Sequence, residues 1–416
     1  MLSAKVYQVQ YDLGIQNIEY NFNYDNFFNL DREYVKENGN IEYLIRIYQT
    51  GKLLETNTNQ GYHPPLHHYI NAGVMRLFDL FGASNELKLE AAEIPAFIYS
   101  VLLMIVIYEI TKELKLKDIT KILVMLMVSL NPLLIYMSRL INNDMLVTLC
   151  VFVCLLYLLK WYKEPNFKNT CVLALAVGLG ASSKTSIMVM FLPLVVTYFV
   201  KFFKSVEDTK MIKKILIYGL VFAIICLPLV FWYQLRNAIK FNQPLFGVVA
   251  ATDEFKILNT DFINRWLVNG ELFSRKLEFN ASNVFSYVIN SSIIFMIDTE
   301  FLSIGFLNFL RSINIILILI SLVSLIKNIN KSFFDIILVI TYLTWIGSFI
   351  CFNLSLPYSC TMHSRYIVSA IIIGLIYIAK LYENTNKIWL KNLINILVVL
   401  YSLGTVVIFA NIIWFI

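Results

Sequence analysis

Long apolar stretches alternate with short polar segments from residue 89 to the end of the chain. Most stretches have about 17–25 residues, the length that an α-helix needs to cross a bilayer. The alternating ten-residue segments that are typical of a membrane β-barrel are not seen. The pattern predicts an all-α polytopic membrane protein with about ten transmembrane helices, at residues 89–111, 121–138, 142–161, 170–183, 185–203, 213–235, 303–327, 333–353, 364–382 and 392–416.

Two long polar segments stand outside this pattern and suggest a division of the chain into four parts. In the first segment, apolar residues recur at helical spacing from Ile41 to Leu53, and Gly51 closes this short amphipathic helix. We expect a first extracytoplasmic loop at 1–88, a first part of the helix bundle at 89–235, a large extracytoplasmic loop at 236–302 and a second part of the bundle at 303–416.

A second amphipathic helix is predicted just before the first membrane span. Pro64 and Pro65 favour its start, because proline is tolerated in a first helical turn, and Gly82 ends it. One face is apolar, with Leu66, Ile70, Val74, Leu77 and Phe81, and the other carries His68, Asn71 and Asp79. A helix of this composition is expected to lie in the membrane interface rather than to cross the bilayer.

Composition and charge support the membrane assignment and set the orientation. The chain has 416 residues, of which 58% are hydrophobic and 15% charged, and its mean hydropathy is +0.67. The net charge of +6 comes from lysines in short loops, such as Lys380, Lys387 and Lys391, rather than from a nucleic-acid-binding surface. By the positive-inside rule these loops are cytoplasmic, so residues 1–88 and 236–302 lie outside, most naturally at a plasma membrane.

An exported N-terminal segment needs a signal sequence or a preceding membrane helix, and Met1–Gln10 is neither. We therefore expect that an upstream transmembrane helix is missing from this chain. Post-translational translocation of the polar N-terminus is the alternative.

Polar side chains are concentrated where the first outer segment meets the membrane. Three of the four histidines, His63, His67 and His68, follow Tyr62 within six residues. Titratable groups at a membrane boundary are what chemistry on a lipid-linked substrate requires. This region is therefore predicted to contribute to a substrate site.

Charges at the outer ends of the membrane helices extend this candidate site, because such charges are costly and usually functional. They are Asp144, Lys184, Arg236 and Arg365, the last next to His363. Helix capping is an alternative role for Asp144, and a favourable helix-dipole contact is one for Arg236. Cations suit phosphoryl oxygens and a carboxylate or imidazole suits a general base, whereas no phosphate loop, zinc motif or nucleophile elbow is present.

Several short motifs, in order along most of the chain, carry a family resemblance. They are Gln10-Tyr11-Asp12, Gly39-Asn40-Ile41-Glu42-Tyr43, Tyr62-His63-Pro64-Pro65-Leu66, Asn142-Asn143-Asp144, Gly180-Ala181-Ser182-Ser183-Lys184, Arg236-Asn237 and Arg365-Tyr366. With them the chain resembles the dolichyl-phosphate-mannose-protein mannosyltransferase-like membrane glycosyltransferases of the GT-C fold. Such proteins transfer a sugar from a polyprenyl-phosphate carrier to an acceptor hydroxyl on the outer face of the membrane.

The resemblance implies roles for individual residues. An acid in the first outer loop is the catalytic base, which places this role on Asp12, with Asp25 as a rival. Substrate contacts are then expected from Tyr62, His63, His67, Asp144, Lys184, Arg236, His363 and Arg365, with the cations and His63 on the carrier phosphate. The acceptor is a lipid, glycan or protein; no cofactor is identified, and a divalent metal is possible but not indicated.

Two other functions stay open. Tyr11 and Asn40 stand where relatives often carry histidine, which favours a catalytically degenerate member. A transporter or flippase for a lipid-linked or anionic solute would instead need charges deep in the helices and broken helices in matched halves.

Overall fold

The structure is a computed structural model that describes residues 40–54, 61–246, 266, 283–295, 302–328, 332–356 and 359–415. Within these ranges every regular element is a helix. The α-helices are α1 (Asn40–Thr50), α2 (Leu66–Leu80), α3 (Asn85–Ala91), α4 (Ile94–Glu113), α5 (Asp118–Ser129), α6 (Pro132–Met137), α7 (Asp144–Lys163), α8 (Phe167–Ala181), α9 (Phe191–Lys204), α10 (Thr209–Phe241), α11 (Val284–Ile294), α12 (Ile304–Asn328), α13 (Phe333–Ser355), α14 (Val368–Asn384) and α15 (Ile388–Phe415). Short 3-10 helices at Thr185–Met190, Ser359–Met362 and Ser364–Ile367 complete the set.

Among the described residues, eight helices are long and apolar enough to cross a membrane. This confirms the predicted all-α polytopic class, and the chain is an integral membrane protein. Two predicted spans differ. The stretch at 121–138 is divided into α5 and α6 ahead of Pro132, and α8, with 15 residues, is only about 22 Å long, less than a hydrocarbon core of about 30 Å.

The chain divides into two compact units. One unit contains α5 and α11 to α15. Its core is α14, which is buried along nearly its whole length and packs against α5, α12 and α13. Lys380 on α14 forms a buried ion pair with Asp335 on α13. The assignment of Lys380 to a polar loop is therefore wrong, because this lysine is needed to neutralise a carboxylate inside the bundle.

The other unit contains α1 to α4 and α7 to α10. Its core is α7, which packs against α4 and α8, while α8 packs against α10. Gly178 allows the α8–α10 contact, since a Cβ there would stand 2.6 Å from a side-chain carbon of Leu229. Ser182, at the end of α8, donates a hydrogen bond of 2.8 Å to the carbonyl of Leu229.

The two predicted amphipathic helices are present as α1 and α2. Each ends at a glycine with positive φ, Gly51 at +68° and Gly82 at +73°, as expected for a left-handed helix terminus. The buried face of α2 is the one with His67, His68 and Asn71, whereas Leu77 and Phe81 on the predicted apolar face are exposed. The N-terminal part of the predicted polar face, with His68 and Asn71, thus packs inside the protein, whereas Asp79 on the same predicted face is exposed. The apolar face of an interfacial helix has lipid available to it.

Candidate functional site

A buried break in the helical backbone positions one part of the site. After α8 the chain leaves helical geometry at Ser182–Lys184 and resumes as a 3-10 helix at Thr185. Ser182, Ser183 and Lys184 are all buried. Buried irregular backbone needs hydrogen-bond partners from the surrounding protein, so this break is a structured part of the protein interior rather than a surface loop.

The motif Asn142-Asn143-Asp144 lies against this break, with a separate contact for each residue. Asn142 Oδ1 accepts a hydrogen bond of 2.6 Å from the backbone N–H of Asp144, at the start of α7. Asn143 Nδ2 donates to the carbonyl oxygen of Ser183 at 3.0 Å. Asp144 and Lys184 form a buried ion pair, with 7% and 8% of their surfaces exposed.

This ion pair excludes the alternative role of Asp144 as a helix cap. The side chain of Asp144 does not cap α7, because that helix begins at Asp144 and its carboxylate faces Lys184. The two predicted site residues lie together, 40 positions apart in the sequence.

The first turn of α2 brings the histidines to the same region. The backbone N–H of Leu66 donates to the carbonyl of Ser182 at 3.0 Å, which fixes α2 to the helix break. Asn71 Nδ2 lies 3.0 Å from Nε2 of His67. With the amide as donor, the proton of the His67 ring stands on Nδ1. His68 packs against Tyr43, with ring centroids 4.5 Å apart.

Burial keeps both histidines neutral. It lowers the pKa of His67 to about 4, although the charge of Asp144 acts in the opposite direction. Burial, with smaller contributions from His67 and His63, also holds the pKa of His68 well below its usual value. Neutral imidazoles at physiological pH offer hydrogen bonds rather than charge.

Several buried polar atoms here have no hydrogen-bond partner among the described residues. They are Nδ1 of His67, both ring nitrogens of His68, Oδ1 of Asn71 and Oγ of Ser183. Each such atom costs about 1–3 kcal/mol when it is buried and unsatisfied. The concentration of these unsatisfied atoms on α2 and the helix break indicates a site for a polar ligand. We call the residues His67, His68, Asn71, Asp144, Ser183 and Lys184 the buried polar cluster.

Arg236, near the end of α10, donates hydrogen bonds to other parts of the chain. Its Nη2 donates to the carbonyl oxygen of Leu54 at 2.8 Å, and its Nη1 donates to Asn237 Oδ1 at 2.8 Å. Tyr233 and Asn237 both donate to the carbonyl of Gly61, at 2.6 and 3.0 Å. The end of α10 therefore holds the chain on both sides of residues 55–60.

Tyr62 and His63 follow this anchor directly. Their rings pack against each other in a tilted arrangement, with centroids 4.3 Å apart and an interplanar angle of 39°, and both residues are half-buried. They lead into α2 and the buried polar cluster. Their predicted substrate contacts stay a prediction.

His363 and Arg365 belong to the other unit. His363 is fully buried, packs against Phe295 with a centroid distance of 4.5 Å, and accepts a hydrogen bond of 3.0 Å on Nδ1 from the backbone N–H of Arg365. The Arg365 guanidinium stands 5.0 Å from the ring centroid of Tyr366. His363 thus caps the short helix Ser364–Ile367, a local role that the sequence did not predict.

The predicted bases Asp12 and Asp25, and the departure at Tyr11, lie outside the described residues. Asn40, the other departure, is the first residue of α1. In the described ranges, no group of three His, Cys, Asp or Glu side chains is arranged to hold a metal ion.

Three buried charged or polar features were missed from the sequence. Glu93, just before α4, is 8% exposed, and Arg311 on α12 is fully buried with its Nη1 donating to Asn308 Oδ1 at 3.0 Å. Both are charges within apolar runs, a signal that was available but not used. The third feature is the burial of His68 and Asn71. The sequence carries no signal for it, because it depends on how α2 packs against the other helices.

Comparisons with known proteins bear on the same region. Residues 62–232 match the family model described as dolichyl-phosphate-mannose-protein mannosyltransferase, which confirms over this stretch the resemblance predicted from the sequence. No curated protein matches the chain.

Two crystal structures of ArnT from Cupriavidus metallidurans are similar to the chain. The apo state is 15% identical with a TM-score of 0.49, and the state bound to undecaprenyl phosphate is 16% identical with the same TM-score; each match covers 85% of this chain. The chain spans 56% and 57% of the length of the two ArnT chains.

Proposed function

We propose that this chain, whose residues 62–232 match the mannosyltransferase family model, is a membrane glycosyltransferase. It moves a sugar from a polyprenyl-phosphate carrier to an acceptor hydroxyl on the extracytoplasmic face. We propose the polyprenyl-phosphate donor, the acceptor hydroxyl, the extracytoplasmic face and Asp12 as the general base together.

The observation that carries the proposal is the buried polar cluster. A hydrocarbon tail would leave the unsatisfied atoms of His67, His68 and Asn71 without partners, whereas a phosphate or a sugar has the oxygens to pair with them. Lys184 supplies the positive charge, and Asp144 holds its ammonium group in place. A phosphorylated sugar at the end of a lipid combines both kinds of group.

The chemistry follows from these roles. Asp12 accepts the proton of the acceptor hydroxyl, and the acceptor oxygen attacks the anomeric carbon. The bond between that carbon and the phosphate oxygen breaks, so polyprenyl phosphate leaves and the anomeric configuration inverts. The leaving phosphate is stabilised by the cationic side of the cluster, with Arg236 as a further proposed contact and Tyr62 and His63 shaping the pocket.

The test uses membranes that contain the full chain and polyprenyl-phosphate sugars with a radiolabel in the sugar, with undecaprenyl phosphate as the first carrier. We expect release of label from the carrier for the wild type. The Asp12→Asn variant should lose transfer by roughly two to four orders of magnitude, the range that a positioned general base contributes.

Asp25→Asn is the matched control, because it makes the same change in the same segment. If Asp12→Asn retains near-wild-type transfer while Asp25→Asn loses it, the base is Asp25 instead. If neither variant is impaired, the assignment of the base to the first outer segment is wrong.

The transporter alternative gains one observation. The break at Ser182–Lys184 is a helix interruption at a polar site, which is a feature of secondary transporters. Movement of an unmodified labelled lipid phosphate across sealed proteoliposomes, with no sugar transfer in the same sample, would favour it over the glycosyltransferase.

A further inference from the structure

A cavity lies in the unit that contains the buried polar cluster, and none of its lining residues belongs to that cluster. It has a volume of about 230 Å³ and lies among α7, α8, α9 and α10. Its walls include Trp161, Leu173, Val195, Phe199 and Phe222. We call it the α7–α10 crevice. An apolar cavity of about 150 Å³ already stays dry and takes apolar ligands, so a crevice of this size suits hydrocarbon.

The polar atoms of three lining side chains, Trp161, Thr170 and Tyr198, already form hydrogen bonds within the protein. The indole N–H of Trp161 donates to the hydroxyl of Thr170 at 3.1 Å, and that hydroxyl donates to the carbonyl of Asn166 at 2.8 Å. The hydroxyl of Tyr198 donates to the carbonyl oxygen of Ile215. Trp161 and Tyr198 also stack, with centroids 5.3 Å apart. The surface of the crevice is therefore mostly apolar, whereas the buried polar cluster has unsatisfied polar atoms.

Positive charge gathers beside one end of the crevice. Lys201 and Lys204 follow Tyr198 on α9, and Tyr162 follows Trp161 on α7. The ammonium groups of the two lysines stand 5.4 and 5.7 Å from the ring centroid of Tyr162. Lys204 also donates to the hydroxyl of Tyr162 at 2.9 Å. Two cations thus converge on the residue adjacent to the crevice wall.

We propose that the α7–α10 crevice binds one acyl chain of an anionic phospholipid whose head group lies at Lys201 and Lys204. The apolar walls select the chain and the paired lysines select a negative head group, and only an amphipathic lipid satisfies both. The lysine-rich ends of α7 and α9 place the head group in the leaflet that faces the cytoplasm under the positive-inside orientation. This site is separate from the proposed donor site, and neither proposal depends on the other.

Native mass spectrometry of the full chain in a nonionic detergent tests this site. The probes are phosphatidylglycerol and phosphatidylcholine with identical acyl chains, added in equal amounts. We expect the wild type to retain one phosphatidylglycerol in preference to phosphatidylcholine. The Lys201→Gln, Lys204→Gln double variant should weaken phosphatidylglycerol binding by about 30-fold, or on the order of fivefold for each lysine, and lose the preference.

Two further variants separate the crevice from general surface charge. Val195→Phe enlarges a side chain that lines the crevice and should abolish retention of either lipid. Leu192→Phe introduces the same ring on α9 at a position that does not line the crevice and should not. Lys168→Gln with Lys210→Gln removes two exposed lysines elsewhere and should keep the preference.

The proposal is overturned if the wild type retains both lipids equally, or if Val195→Phe binds phosphatidylglycerol like the wild type. It is also overturned if the Lys168, Lys210 double variant loses the preference as fully as the Lys201, Lys204 double variant does.

Discussion

At the scale of single residues, two buried ion pairs in different units offer a direct comparison. Asp144–Lys184 belongs to the buried polar cluster, whereas Asp335–Lys380 is a packing pair inside the other unit. Each joins positions at least 40 residues apart, and all four side chains are at most 10% exposed. The proposed function requires only the first pair for its chemistry.

Removal of one partner from either pair should be strongly destabilising. Asp144→Asn and Lys184→Met are each expected to lower the free energy of unfolding by about 3–5 kcal/mol, because an uncompensated charge is left buried. The double variant should recover most of that loss, since it leaves no charge. Thermal unfolding in detergent measures the stability, and the labelled-sugar assay measures transfer.

The matched control is the double variant Asp335→Asn, Lys380→Met. It should also fold, and it should retain transfer, whereas the folded Asp144→Asn, Lys184→Met protein should not. Transfer by the latter at the wild-type rate would remove this pair from the proposed site.

His67 gives a prediction for pH. Its pKa is about 4 in the folded protein and about 6.5 in the unfolded chain, so the unfolded state takes up the proton first as the pH falls. The stability tied to neutral His67 is therefore complete above pH 6.5 and is lost between about pH 6.5 and pH 4. The total is on the order of 3 kcal/mol.

His67→Asn removes the titrating ring but keeps a polar partner for Asn71. We expect its melting temperature to decline less steeply than that of the wild type between pH 6.5 and pH 4. Parallel curves for the two proteins would show that His67 titrates normally.

At the scale of elements, the close packing of α8 against α10 accounts for the position of the helix break at Ser182–Lys184. Gly178 lets α8 approach α10, and the same approach brings Ser182 to the carbonyl of Leu229. Short helices such as α8 then end inside the protein, where the irregular backbone of the break is protected from lipid. Small residues serve this purpose in membranes because interhelical packing, rather than the hydrophobic effect, drives association.

Two glycine substitutions test this packing. Gly178→Ala places a methyl group 2.6–2.8 Å from side-chain carbons of Leu229, and the resulting overpacking should cost about 1–3 kcal/mol. Gly73→Ala, in α2, meets no atom within 4 Å and should stabilise the protein by about 0.5–1 kcal/mol through its better helix propensity. Melting temperatures in detergent that shift in the same direction for both variants would contradict the packing explanation.

At the scale of the whole molecule, the distribution of lysines predicts the orientation in the membrane. Single cysteines in a cysteine-free background allow this to be measured with a membrane-impermeant maleimide on intact cells. We expect Glu86→Cys and Leu245→Cys to be labelled from outside. Val206→Cys and Lys387→Cys should be labelled only after the cells are opened, and the reverse pattern would place the buried polar cluster on the cytoplasmic side.

The sequence alone determined the class of protein and most helices. Apolar length predicts a span whatever surrounds it, and Gly51 and Gly82 end their helices through local backbone geometry. The motifs at Tyr62-His63-Pro64-Pro65-Leu66 and Asn142-Asn143-Asp144 also predicted the region of the site, and Asp144 and Lys184 do lie together.

Only the tertiary structure decided which faces point inward. In lipid an apolar side chain is stable both against other helices and against the bilayer, so periodicity does not separate the two environments. The inward histidine face of α2 and the ion pair of Lys380 therefore depend on contacts between distant segments. The same packing sets the carbon walls of the α7–α10 crevice beside Lys201 and Lys204, which in the sequence are two lysines at the end of an apolar helix.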